Sequence, residues 1–110
     1  MDDDRDSDHL VPAGCALDRV FRLLSGEWTL HILWVLGRFG PTRFGQLRRQ
    51  VAGISAKVLT DRLRLLEREG VIWRDAADTA SPQVRYGLTA RGQELDQALV
   101  AMERAARSWH

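Results

Sequence analysis

A chain of 110 residues, 45% of them hydrophobic, has the size and apolar fraction of one small domain with a single core. It has no run of about 18 apolar residues, so no segment is expected to cross a membrane, and its acidic start is unlike a secretory leader. A single cysteine, Cys15, excludes an intrachain disulfide framework, and cytoplasmic residence is the expectation. The net charge of +1 conceals a polarised distribution: residues 1–10 carry five Asp and one Arg, whereas residues 38–74 carry eight Arg and one Lys against three acids. Cations gathered in this way suit phosphate binding, although a solvated helix face is the plainer use of a basic run.

Residues 1–12 are polar and Asp-rich, with too little apolar surface to offset the entropy of ordering them. They are expected to form a loose tail ahead of one domain over residues 13–110. Leu17, Val20, Phe21 and Leu24 fall at i, i+3, i+4 and i+7 and predict a first helix. Ser25-Gly26 interrupts it. From Glu27 to Leu36 the chain is apolar nearly all round, which predicts a helix buried on most sides, with His31 packed in the core rather than acting as a ligand or base. Gly37, Gly40 and Pro41 end that helix.

Thr42 and Arg43 supply a short strand. Phe44 to Gln50 form a short helix with Phe44, Leu47 and Val51 facing inward. After a tight, glycine-bearing turn, Ser55 caps a second helix by accepting a bond from a free amide of its first turn. Leu59, Leu63 and Leu66 make that helix's inner stripe, flanked by Val58 and Leu65. Lys57, Thr60, Asp61, Arg64 and Arg68 gather on the other side, and Gly70 stops the helix. Two short amphipathic helices joined by a tight turn have the layout of a helix-turn-helix reader of DNA. Strands around Ile72-Trp73-Arg74 and Val84-Arg85-Tyr86, with small polar residues 76–83 between them, add a wing.

Thr89 then caps a last helix with an apolar stripe from Leu95 to Trp109, longer than the core of one small domain needs. The expected fold is therefore mainly α with a small β-hairpin: a winged helix-turn-helix with extra N- and C-terminal helices. A homodimer interface is expected from Leu17, Val20, Phe21 and Leu24 together with Leu95, Leu99, Met102, Ala106 and Trp109.

Phosphate contacts are expected from Arg43, Arg48, Arg49 and Arg85, whose guanidinium forks match phosphate oxygens. Base contacts are expected from Lys57, Thr60, Asp61 and Arg64: the two cations suit guanine, the Thr60 methyl suits thymine, and Asp61 accepts from cytosine. Gln46, Ser55, Arg68 and Gln83 complete the expected DNA-facing set. A plainer role for Asp61 is to orient a basic neighbour, and Arg62, toward the flank of the leucine stripe, is assigned to packing. His9, His31 and His110 suggest no catalytic constellation, and with Cys15 they show no zinc-ligand spacing. A phosphate-cradling glycine motif is also missing. Neither an enzyme, a cofactor nor a metal site is expected.

In order and spacing the chain resembles the HxlR-type winged-helix transcriptional regulators. The resemblance rests on Cys15, Ser25-Gly26-Glu27-Trp28-Thr29-Leu30, Arg43-Phe44, Gly53 to Thr60, Leu63 to Glu67, Gly70-Val71-Ile72, Pro82 to Tyr86 and Leu88 to Gly92, and runs from about Cys15 to Leu99. It implies a homodimeric bacterial regulator that binds duplex operator DNA through its helix-turn-helix and pairs through its terminal helices. Some members of that family sense oxidants or electrophiles through an N-terminal cysteine, at the place where Cys15 stands here. The chain departs from the family pattern in two places: Ser25-Gly26-Glu27-Trp28 stands where the family usually has Gly-Gly-Lys-Trp, which exchanges a lysine for Glu27, and Ala16 replaces the proline that usually follows the cysteine. Two other readings stay open: a winged helix that docks a protein partner, and a regulator with a small-molecule effector pocket near Trp28 and Trp34, although tryptophans at helical spacing are more often core.

Overall fold

Two hydroxyl caps and a leucine stripe set the central architecture. The computed structural model describes residues 16–76 and 84–109. The acidic segment 1–12, Cys15, Gln83 and most of the expected wing tip lie outside the described residues. The elements are α1 (Ala16–Leu24), α2 (Thr29–Phe39), β1 (Thr42–Arg43), α3 (Phe44–Gln50), α4 (Ala56–Arg68), β2 (Ile72–Asp75), β3 (Arg85–Leu88) and α5 (Ala90–Ala106). The fold is the expected one, mainly helical with a small antiparallel sheet.

Ser55 accepts a 3.1 Å bond from the Val58 amide, which satisfies one of the free donors at the start of α4. Thr89 does the same for the Gly92 amide at the start of α5, and its hydroxyl donates to the Gly70 carbonyl at 2.6 Å. The Thr89 side chain therefore starts one helix and holds the end of another. α4 ends with the Val71 amide donating to Leu66 O and the Gly70 amide to Glu67 O, the paired bonds of a Schellman cap.

The inner stripe of α4 is fully used, with Leu59, Leu63 and Leu66 at 2% exposure or less. They share one core with Ile32, Leu33 and Leu36 of α2, Leu47 of α3, Ile72 of β2, Tyr86 of β3 and Leu99 of α5. Thr42 and Arg43 do form a strand. The sheet has three strands in the order β1-β3-β2, all antiparallel, with Thr42 opposite Tyr86 and Ile72 opposite Leu88.

α2 differs from its sequence-based reading in two respects: it spans Thr29–Phe39 and so runs on through Gly37, and its apolar side chains are not all buried. Ile32, Leu33, Val35 and Leu36 fill its inner face, which leaves Leu30 and His31 exposed and Trp34 half-buried. His31 is therefore not a core histidine: its ring lies 5.4 Å from that of Trp28, at the surface. The apolar run from Trp28 to Leu36 is simply wider than the face available to bury it.

Candidate nucleic-acid interface

The turn between α3 and α4 runs through Val51, Ala52, Gly53 and Ile54, of which Val51 and Ile54 are buried. Gly53 has φ +95°, a backbone region that side chains disfavour. The Trp28 indole lies over this turn, 3.4 Å from where a Cβ on Gly53 would sit. Trp28 itself has φ 75°, an unusual conformation for a bulky residue. The residue before it is also engaged, since Arg62 of α4 donates a 2.8 Å bond to the Glu27 carbonyl. Glu27-Trp28 therefore braces both the turn and α4. Arg62, read from the sequence as packing on the flank of the leucine stripe, is half-buried and spends its Nε–H on this bond, to a partner 35 residues away that the sequence does not announce.

Gln46, Arg48 and Arg49 of α3, Arg43 at its start, and Ser55, Lys57, Asp61, Arg64 and Arg68 on or capping α4 are all exposed, with Thr60 half-buried between them. Arg85 is exposed on β3. Charge pairing divides the cations. Arg19 pairs with Glu69, Arg22 with Asp18, Arg38 with Asp96 and Arg107 with Glu103. By contrast Arg43, Arg48, Arg49, Arg64 and Arg68 make no salt bridge among the described residues. Lys57 lies 3.4 Å from Asp61, one turn along α4, so Asp61 does engage a basic neighbour, and Arg85 lies 4.0 Å from Asp75.

Between α4 and the sheet is a cleft of about 440 Å³ lined by Thr60, Arg64, Glu67, Arg74 and Tyr86, among others. Arg74 is absent from the contacts read from the sequence. The available signal was strand alternation, which puts Arg74 on the same face of β2 as the buried Ile72. A second, open and largely apolar cleft of about 560 Å³ is lined by Trp28, His31 and Trp34, the end of α3, and Leu99 and Glu103.

The residues expected at a subunit interface divide in two. Leu17, Phe21, Met102 and Trp109 are exposed large hydrophobics, and Ala106, the last residue of α5, is exposed as well. Val20, Leu24 and Leu95 are half-buried, and Leu99 belongs to the chain's own core at 8% exposure. Among the described residues no group of His, Cys, Asp and Glu could hold a metal ion, and no helix is long and apolar enough to cross a membrane.

Comparison with known proteins fits this geometry. The chain is 41% identical over 95 residues to an uncharacterised HTH-type transcriptional regulator of Synechocystis, covering 86% of this chain and 70% of that one. Its fold matches a MarR-family transcriptional regulator from Porphyromonas gingivalis with a TM-score of 0.80 at 28% identity, over 89% and 95% of the two chains. It also matches the reduced form of the regulator YodB of B. subtilis, with a TM-score of 0.74 at 30% identity over 86% and 93%; YodB has also been solved diamide-treated and quinone-bound. The profile of the HxlR-like helix-turn-helix family matches residues 23–110, so it starts after Cys15 and runs past Leu99, where the resemblance read from the sequence ends. A winged helix-turn-helix with these relatives is a DNA-binding transcriptional regulator, and the chain belongs to the HxlR-like helix-turn-helix family.

Proposed function

We propose that the chain is a sequence-specific regulator that binds an inverted-repeat operator as a homodimer, with α4 as its reading helix. The outward face of α4 carries the reading. It presents Lys57, Thr60, Arg64 and Arg68, and none of the exposed large hydrophobics among the described residues lies on it. A helix that docked a protein partner would present apolar anchors there. Arg64 and Lys57 are assigned to bases. Arg43, Arg48, Arg49 and Arg85 are assigned to phosphates, with Gln46 and the Ser55 hydroxyl beside them. Gln83 keeps its assignment from the sequence alone.

The dimer is supported by Leu17 and Phe21 on α1, by Met102 near the end of α5 and by Trp109 just beyond it, where the helix expected to reach that residue has already stopped; all four are at least half exposed. Leaving such side chains in water forgoes roughly 25 cal/mol per Å² of burial. Duplexes selected from a random pool should converge on an inverted repeat with half-site centres about 34 Å apart. Light scattering should give twice the chain mass, and Met102→Asp should shift it toward the monomer. Met102 is the informative site because Leu99→Asp would damage the core. A monomeric mass for the unsubstituted chain, or recovered sequences without dyad symmetry, would refute the arrangement.

Regulation by oxidants or electrophiles at Cys15 is the reading that the diamide-treated and quinone-bound forms of YodB support. Cys15 directly precedes α1 in the sequence, so a modification there would act next to a helix assigned to the subunit interface. Operator affinity should fall on treatment with diamide or a quinone and stay unchanged in Cys15→Ser. Full modification of Cys15 without any change in affinity removes the role. An effector pocket is the second reading, favoured by the open cleft beside Trp28 and Trp34.

A further inference from the structure

Building on the DNA-binding reading, we propose that the cleft between α4 and β2 seats a backbone phosphate of the DNA, held by Arg74, and that Glu67 on the opposite wall weakens its grip. Arg74 lies on the face of β2 that turns toward α4, with Tyr86 as its cross-strand partner. It is exposed, and no carboxylate among the described residues pairs with it. Arg64, equally unpaired, lines the same cleft from the α4 side. Two guanidiniums line this concavity against the single carboxylate of Glu67, and neither is in a salt bridge among the described residues, so the balance of charge there is positive and an anion that enters relieves it.

The geometry of a duplex identifies the anion. A helix in the major groove reads base edges from a channel about 12 Å wide, walled by the two phosphate backbones. A strand that flanks the reading helix therefore meets a wall of that channel, not its floor. A guanidinium held on a short strand that pairs with β3 suits this contact, because its planar fork matches phosphate oxygens and less of its freedom is lost on binding. Glu67 follows Arg64 by three residues on α4 and lines the same cleft. It repels an incoming phosphate and so sets an upper limit on non-specific affinity.

The test is a titration of short operator and random duplexes by fluorescence anisotropy across a salt series. Arg74→Ala should weaken both duplexes by roughly tenfold. It should also lower the slope of log affinity against log salt by about one. Arg74→Lys should restore the slope but only part of the affinity, because a point charge replaces a fork. Glu67→Gln should tighten both duplexes several-fold, a gain that a purely structural role for the cleft would not give. Urea midpoints that match the unsubstituted chain confirm that each variant is folded, and Arg74→Gln replaces Arg74→Ala if that variant is not.

Unchanged affinity and slope in Arg74→Ala, in a protein whose Arg49→Ala variant does bind more weakly, overturns the phosphate seat. Loss confined to the operator overturns it as well, because Arg74 would then be reading a base. No gain from Glu67→Gln removes the role of Glu67. Failure of the unsubstituted chain to bind any duplex is a separate result and overturns the DNA-binding reading on which the seat rests.

Discussion

Leu59→Ala should cost about 2–5 kcal/mol of folding stability, a large share of the roughly 5–15 kcal/mol that holds a domain of this size together. Leu59 is fully buried, on the inner stripe of α4, in the core shared with α2, α3 and the sheet. Truncation removes three carbons from close-packed surroundings and leaves a cavity that a three-sided core cannot readily close. Urea unfolding should show a lower midpoint with an unchanged slope, the sign of lost stability without a changed denatured state. The cations lie on the other side of α4, so the fraction that stays folded should bind DNA with an unaltered salt dependence. A loss below about 1 kcal/mol would mean that the inner face of α4 is not packed as described.

Arg64→Ala should reduce discrimination between operator and random DNA by about 1–3 kcal/mol, with a smaller effect on random sequences. Arg64 is exposed and has no salt-bridge partner among the described residues, so its guanidinium is available without first breaking an ion pair. Lys57 differs in that Asp61 lies 3.4 Å away. Part of any base contact by Lys57 is spent on releasing that neighbour, so Lys57→Ala should cost less than Arg64→Ala. Binding to the selected operator and to scrambled duplexes at one fixed salt concentration measures both. Equal weakening on all sequences would move Arg64 from the base-reading set to the phosphate set.

What the sequence made legible here is whatever depends on near neighbours. Ser55 and Thr89 announce themselves as caps because the amide each satisfies is three residues away. The stripe Leu59, Leu63, Leu66 is visible because helical periodicity repeats within one element. Contacts between distant segments were not visible. Nothing local to Arg62 points to the Glu27 carbonyl. Nor does anything near Arg38 announce that its guanidinium lies 4.2 Å over the Trp34 ring and pairs with Asp96 of α5. Gly37 read only as a helix ender, yet it lies within α2, where a Cβ would collide with the Asp96 carboxylate. His31 was misread because an apolar run shows how much surface wants burial and not how much partner surface exists to bury it. The site followed the same division. The exposure of the polar side chains on α3 and α4 could be read from helical faces, whereas the cleft that Arg74 lines needed the approach of β2 to α4.

The three-stranded sheet has a consequence for how such a regulator diversifies. β3 is the middle strand, held by β1 on one edge and by β2 on the other, so its register is fixed twice over. The stretch of chain that joins β2 to β3 is thus relieved of the task of aligning them, a task that falls to the turn in an isolated hairpin. Residues can be inserted, deleted or exchanged in that stretch while Tyr86 stays in the core and Arg85 stays opposite Arg43. Paralogues that differ only there would keep one scaffold and one reading helix, and a designer could graft a new loop at this junction without redesigning the domain beneath it.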